Sequence, residues 1–297
     1  MRIEHMLSGS TPTVSFEFFP PKSEKGFDNL FVTIAELKEL SPSFVDVTYG
    51  AGGSTREKTV ELTGRIQREA GLTAMAHLTC VGHTKDEIAA ILDQLAEQGV
   101  HNVLALRGDM PGGGAWQSTD GGFEFASELV AFIKDTHPGM FVTVAGFPEG
   151  HPQCLNKQRD LEHLKAKVDA GAGGIITQLF FDNYDFLTFR DNARKAGIDA
   201  PIIAGMMPIQ KLPQIKRFVT MCGAKIPQHL LVALEKLDAA GDDAAVEKAG
   251  IDHAVRQCEE LIFQGVDGLH FYTLNQSTAT RQIVERLTLP EGEKTAA

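Results

Sequence analysis

Apolar and polar positions follow two rhythms along the chain. Short runs rich in β-branched and aromatic residues recur at Thr13–Phe19, Phe44–Tyr49, Thr73–Cys80, Asn102–Gly108, Phe141–Phe147, Gly174–Phe181, Pro201–Pro208 and Gly268–Leu274. Most are continuous rather than alternating, the pattern of strands covered on both faces. Between them lie segments of helical period. The clearest is Thr84–Gln98. Thr84 and Glu87 form a capping box, Ile88, Ile91, Leu92 and Leu95 share one face, and Gly99 follows as a C-cap. Comparable helices are predicted at Gly26–Leu40, Thr55–Ala70, Phe123–Asp135, Gln158–Ala170, Asp185–Ala196, Leu212–Met221 and Ala249–Gln264.

This alternation predicts parallel strands joined by helical crossovers. Eight such units close into a (β/α)8 TIM barrel, an α/β fold that leaves no edge strand. A doubly wound open sheet is the rival, and it is disfavoured because no G-x-G-x-x-G follows any strand. Residues 1–297 are read as one barrel domain. It carries a short N-terminal extension (1–12), a Gly-rich loop at Pro111–Gly122 bordering the active face, an extra helical segment at about 226–248, and a polar tail (291–297).

Composition narrows the function classes. A chain of 297 residues with 43% hydrophobic content can bury a sizeable core. A formal net charge of −11 argues against nucleic-acid binding, so an anionic ligand must meet a local cluster of donors. Cys80, Cys154, Cys222 and Cys258 are far apart in sequence and form no C-x-x-C pattern. The first residues lack the apolar core of a signal peptide, and no run approaches the ~18 residues of a membrane span. A cytoplasmic protein with no membrane partner is expected.

Barrel active sites form at the C-terminal ends of the strands, and polar residues occur there on nearly every one. Glu17 stands between phenylalanines in Phe16-Glu17-Phe18-Phe19-Pro20-Pro21. Burial there raises a carboxyl pKa and suits a general acid, although pairing with an arginine is an equal reading. Thr48 and Tyr49 precede a glycine-rich turn. His77 lies within an apolar strand, as a core residue or a cofactor donor. Arg107-Gly108-Asp109 ends strand four, Phe147 and His151 follow strand five, and Gln178 on strand six could read a heterocycle edge. His270-Phe271-Tyr272-Thr273-Leu274-Asn275 on strand eight admits structural roles equally well. There is no H-E-x-x-H, no clustered Cys/His set for a metal, and no G-x-S-x-G elbow. Spacing alone ends at a barrel enzyme acting on a small organic molecule.

Taken together, Val14–Pro21, Val47–Ala51, His77–Cys80, Ala105–Asp109, Lys167–Ala172, Ile176–Gln178 with Phe180–Asp182, and His270–Asn275 resemble the bacterial methylenetetrahydrofolate reductase family, in family order and across nearly the whole chain. The resemblance implies non-covalent FAD in the barrel mouth, NADH or NADPH as electron donor, and methylenetetrahydrofolate as a folate substrate sharing one flavin face with the nucleotide. Glu17 matches the family's general acid, which protonates the folate nitrogen before hydride arrives at the methylene carbon. Asp109 matches the aspartate near pterin and flavin. Gln178 and Gln214 match folate contacts, with Thr48 and Gln178 near the nicotinamide. Phe218 matches an aromatic lying over the substrate, and Phe186 is a second candidate of that kind. For FAD the matching positions are Tyr49, Ala51, His77, Arg107, Gly108, Phe125, Phe147, His151, Asp160 and Lys167, with Arg107 and Lys167 facing the pyrophosphate.

Three positions depart from the family pattern. His163 stands where asparagine is found, Ala166 where some members have arginine, and Gln276 where arginine is common. The first two lie on the helix expected to meet the adenosine half of FAD. The resemblance also implies a homo-oligomer. The regulatory C-terminal domain of eukaryotic members is not expected at this length. Two alternatives remain at this stage. A proline-dehydrogenase-like flavin barrel would need an arginine clamp near the last helix, where Arg281 and Arg286 lie. A folate-binding protein without catalysis would need no acid at Glu17.

Overall fold

The computed structural model describes residues 1–50, 56–110, 112, 114 and 116–290. Within them β1 (Thr13–Phe18), β2 (Phe44–Val47), β3 (Ala74–Thr79), β4 (Asn102–Leu106), β5 (Phe141–Gly146), β6 (Gly174–Thr177), β7 (Ile202–Met206) and β8 (Gly268–Tyr272) form a closed parallel barrel. Each strand pairs with its sequence neighbours, and β8 returns to β1. The chain is a single (β/α)8 barrel.

Helices wrap the barrel as α2 (Glu24–Lys38), α3 (Arg56–Arg65), α4 (Lys85–Glu97), α5 (Ala126–Thr136), α6 (Lys157–Asp169), α7 (Asn183–Lys195) and α8 (Leu212–Cys222), after α1 (Glu4–Leu7) at the N-terminus. The last turn of α3 widens to π-type geometry over Ile66–Ala70. The capping box of α4 forms as its sequence requires, with Glu87 N–H donating to Thr84 Oγ1 and Thr84 N–H donating to Glu87 Oε2. Its buried face is Ile88, Ile91, Leu92 and Leu95. Trimming one such buried leucine to alanine costs about 2–5 kcal/mol.

Strand residues alternate between two environments. Val14, Phe16 and Phe18 of β1 pack outward against Leu30, Ile34 and Leu37 of α2 in the shell between barrel and helices. Phe44, Met75, Leu104, Phe141, Ile176 and Ile203 point inward and fill the barrel floor. The N-terminal extension closes that floor. Ile3 is fully buried among these side chains, and its N–H donates to Asn102 Oδ1 at 2.9 Å. Asn102 Nδ2 donates in turn to the carbonyls of Met1 and Ala74, each at 3.1 Å. With the floor closed by apolar residues, ligands can enter only at the C-terminal ends of the strands.

The segment expected at about 226–248 divides. α9 (Gln228–Ala239) stands alone, and its last residues lead into α10 (Asp243–Phe263), a single 21-residue helix that includes the predicted Ala249–Gln264. The short α11 (Thr278–Val284) follows β8 and supplies the eighth helix, which the helical pattern did not reveal. Residues 291–297, the expected polar tail, lie outside the described residues, as do 111, 113 and 115 of the Gly-rich loop. Among the described residues no helix is long and apolar enough to cross a membrane.

Candidate active site

The inward positions of β1, β2, β3 and β8 carry polar residues, and the barrel brings them together. Ser15 Oγ lies 2.8 Å from His270 Nδ1. His270 Nε2 lies 3.5 Å from Asp46 Oδ2, and His77 Nε2 lies 2.9 Å from that same oxygen. His77 Nε2 is also 3.8 Å from Glu17 Oε2. Ser15, Asp46 and His270 are wholly buried, whereas the Glu17 side chain keeps 19% of its exposure. Glu17 is therefore the outermost member, at the mouth end of β1. Burial first, and the Asp46 carboxylate second, push the Glu17 carboxyl well above the usual carboxylate range. Burial likewise lowers His270, against the opposing pull of Asp46. The Tyr272 hydroxyl donates to the Thr177 carbonyl at 2.6 Å, and burial followed by Glu17 and Asp46 raises its phenol.

The turn after β8 fixes the backbone that carries Glu17. Thr273 Oγ1 donates to the Glu17 carbonyl at 2.6 Å. Asn275 accepts from the Phe19 N–H at 3.0 Å and donates to the Phe19 carbonyl at 2.8 Å. To reach this position Leu274 and Asn275 adopt φ of 54° and 57°, a left-handed conformation that is costly for leucine. Thr273 and Asn275 thus act on the site through β1.

A second cluster lines the rim above β4 and β5. The Arg107 guanidinium sits 4.7 Å over the Trp116 ring and donates to Gln153 Oε1 at 2.6 Å. Gly108 has φ +84°, and a Cβ there would lie 2.6 Å from Val81 Cγ1 and 2.9 Å from Thr79 Cβ. Only glycine fits this turn. Asp109 is exposed beside it. Phe147 meets His151 edge-on at 4.5 Å, and the His151 N–H donates to Asp160 at 3.1 Å. Burial, then Arg107, lowers His151, with Lys167, Asp160 and Asp109 also close enough to act on it. Lys167 Nζ donates to the Ala145 carbonyl at 2.5 Å, and burial pushes its amine down to about 8. Among the described residues, Trp116 Nε1 and Thr79 Oγ1 are buried here without a hydrogen-bond partner.

The remaining expected residues distribute unevenly. The Tyr49 hydroxyl is 3.0 Å from His83 Nε2, while Thr48 is half-buried and its carbonyl accepts from Thr59 Oγ1. Gln178 and Phe147 line a narrow cleft with Leu179 and Cys222. Gln214 and Phe218 are both half-buried on α8, one helical turn apart. Phe125 is 48% exposed at the start of α5. His163 and Ala166 are exposed on α6. Ala51 lies outside the described residues.

Phe186 requires correction. Its ring is fully buried and stacks on Phe180 at 5.2 Å, in the shell beneath α7. The apolar face of that helix claims it, and no substrate at the mouth can reach it in this conformation.

Sequence reasoning missed Asp46, Ser15, His83 and Trp116 and left His270 and Tyr272 undecided. The available signal was alternation: Ser15 and Glu17, His77 and Thr79, and His270 and Tyr272 occupy every second position of their strands. Cys154, Asp160 and His163, near one another in sequence, also bring ligand-type atoms within 4.8 Å of one another. Glu17, Asp46 and His270 are equally close, with Asp46 hydrogen-bonded to His77 and His270 to Ser15.

Comparison with known proteins identifies the family. The family model described as "Methylenetetrahydrofolate reductase" matches residues 2–288. The 5,10-methylenetetrahydrofolate reductase of Escherichia coli (strain K12) is 39% identical over 280 residues, spanning 94% of this chain and 92% of that protein. Methylenetetrahydrofolate reductase (NADH) 1 of Arabidopsis thaliana is 39% identical over 304 residues, 99% of this chain and 51% of that protein. The chain thus spans about half the length of the plant and yeast relatives it matches. A solved protein from Clostridium thermocellum, described as binding two copies of 5-methyl-5,6,7,8-tetrahydrofolic acid, shares the fold with a TM-score of 0.66, at 15% identity over 95% of each chain. On the strength of the family match and the bacterial relatives, the chain belongs to the methylenetetrahydrofolate reductase family.

Proposed function

We propose that this chain reduces 5,10-methylenetetrahydrofolate to 5-methyltetrahydrofolate, taking electrons from NADH or NADPH through FAD and supplying methyl groups for methionine synthesis. The observation that carries the reading is Glu17. It is a carboxyl that burial first, and Asp46 second, push well above the usual carboxylate range, and it faces the open end of the barrel. A neutral carboxyl near pH 7 can give a proton to a weakly basic ring nitrogen, and few other sites need one so placed.

The rim fits FAD. Arg107, Lys167 and His151 gather cationic or donating groups in a chain of net charge −11, as a pyrophosphate requires. The tight turn at Gly108 brings backbone to the surface where a flat ring can lie against it. The unpartnered Trp116 Nε1 and Thr79 Oγ1 are donors at the same rim. Tyr49, His77, Gly108, Phe125, Phe147, Asp160 and Lys167 would hold this group, with Arg107 and His151. When bound, the flavin supplies the hydride-transfer chemistry.

The chain's own residues do the rest. Glu17 holds a proton on its carboxyl and releases it to the folate nitrogen, opening the five-membered ring. Asp109 accepts from the pterin amino group. Gln178 and Gln214 present amide donors and acceptors to the heterocycle, and Phe218 covers its face. Thr48 and Gln178 serve the nicotinamide in the same place. The folate-binding description of the Clostridium thermocellum protein is consistent with this use of the fold.

The two alternatives are weaker. Arg281 is engaged by Glu285 and Glu39, each at 2.7 Å, and Arg286 by Asp252 at 2.8 Å. Neither is free to clamp an amino-acid carboxylate. A non-catalytic folate binder would have no use for a neutral glutamic acid. The four free cysteines suit a reducing, cytoplasmic setting, and family likeness extends to a homo-oligomer. The test is anaerobic: FAD-loaded protein mixed with NADH or NADPH should lose flavin absorbance, and methylenetetrahydrofolate should restore it.

A further inference from the structure

We propose that Asp46 is the positioning residue that assigns the interior proton to Glu17, by holding the negative charge of the pair itself. This deepens the reading of Glu17 as the acid and rests on it.

Glu17 and Asp46 are register partners on β1 and β2 and both point into the barrel. Their carboxylate oxygens come within 4.8 Å. Two carboxylates this close in a buried site do not both ionise, and their surroundings decide which keeps the proton. The donors are unequally shared. Asp46 Oδ2 faces His77 Nε2 at 2.9 Å and His270 Nε2 at 3.5 Å, whereas Glu17 Oε2 has only His77 at 3.8 Å. With Nε2–H as the donor, His77 stabilises an anion on Asp46 through a hydrogen bond, and His270 Nε2 lies near that oxygen without making one. The Ser15 hydroxyl, 2.8 Å from His270 Nδ1, fixes that ring from behind. From β8, Tyr272 spends its proton on the Thr177 carbonyl and offers Glu17 none.

Depth sorts the pair in the same sense. Asp46 is wholly buried, while Glu17 keeps 19% exposure toward the mouth. The charge therefore sits below and the transferable proton above, where a ligand can take it. Among the described residues Asp46 Oδ1 has no partner, which leaves it as an acceptor for a Glu17 O–H. The groups facing Glu17 are Asp46 from β2, His77 from β3, and His270 and Tyr272 from β8. Of these Asp46 is the group whose charge raises the Glu17 carboxyl, so removing that charge should release the Glu17 proton more readily.

The experiment compares wild type with Asp46→Asn, which keeps size and removes charge. Wild type and Glu17→Gln, each labelled with ¹³C at glutamate carboxyls, are titrated by NMR. A glutamate signal that remains neutral through pH 7 and vanishes in Glu17→Gln supports the proposal. In Asp46→Asn that titration should move down by about one pH unit or more. The rate at which methylenetetrahydrofolate reoxidises flavin should then fall about tenfold or more near neutrality, and its high-pH limb should shift by the same amount. An unmoved Glu17 titration in a folded Asp46→Asn protein overturns the proposal. If that variant does not fold, ¹³C-aspartate labelling of wild type decides: an aspartate, rather than Glu17, holding the proton at neutral pH overturns it. Should wild-type flavin not be reoxidised by the folate at all, the functional reading falls, while the titrations still judge Asp46.

Discussion

The Thr273 hydroxyl donates to the backbone carbonyl of Glu17 at 2.6 Å, so the turn after the last strand of the barrel holds Glu17 on the first. The bond is partly buried, with Thr273 1% exposed. Thr273→Val keeps the shape and removes that bond. It should lower stability by about 1–3 kcal/mol in urea denaturation. It should also slow flavin reoxidation by the folate more than flavin reduction by the nucleotide, because only the former needs Glu17. Equal slowing of both steps would mean the clamp is general scaffolding.

Gly108→Ala should be more damaging than its single methyl suggests. The φ of +84° disfavours any L side chain, and the added carbon would meet Val81 and Thr79 inside 3 Å. The loss of stability should exceed ~1 kcal/mol. FAD affinity, read by fluorescence on reconstitution, should weaken with it because the Arg107 turn must shift. Tight FAD binding by a folded Gly108→Ala protein would remove this turn from the cofactor site.

Lys167 gives a prediction in pH. Its amine titrates at about 8 in the folded chain, below an ordinary lysine near 10.4. An anionic cofactor meets a cation below that value and a neutral amine above it, so FAD affinity should fall as pH rises through about 8. Lys167→Met should bind FAD weakly and without that step. Linkage sets the sign for stability of the cofactor-free protein. Between about pH 8 and 10 the unfolded chain binds more protons at this site, so the lysine's contribution to stability rises with pH there. The gap between wild type and Lys167→Met in chemical denaturation should move in wild type's favour across that window.

Glu17 has the opposite linkage. Its folded pKa is raised, so the native state binds the proton more tightly than the unfolded state. The stability this provides is complete below the unfolded value near 4.3 and is lost as pH climbs through the folded one. Glu17→Gln should therefore gain on wild type as pH rises, in denaturant midpoints measured from about pH 5 to 9. A constant difference over that range would mean that Glu17 is not perturbed.

Much of the barrel was legible because its strands are continuous apolar runs and its helices keep a clean period. α11 escaped notice because Thr278–Val284 is seven residues long and contributes only Ala279, Thr280 and Ile283 to the interior. Asp46 escaped for a different reason. Within Phe44-Val45-Asp46-Val47 a single carboxylate reads as an interruption. Only closure of the barrel places it beside His77, 31 residues away, and His270. The rim cluster was visible as separate polar residues, but the convergence of Arg107, Asp109, Asp160 and Lys167 on His151 depends on how α6 docks. Phe186 shows the converse: a matching position in sequence says nothing about which way a ring turns, and helix packing turned it inward.

The most direct test of the central claim uses Glu17→Gln loaded with FAD under anaerobic conditions. NADH or NADPH should bleach the flavin absorbance at a rate close to wild type, because that step requires no acid. Methylenetetrahydrofolate should then fail to restore it, while wild type recovers fully. Recovery in Glu17→Gln at the wild-type rate would contradict the account.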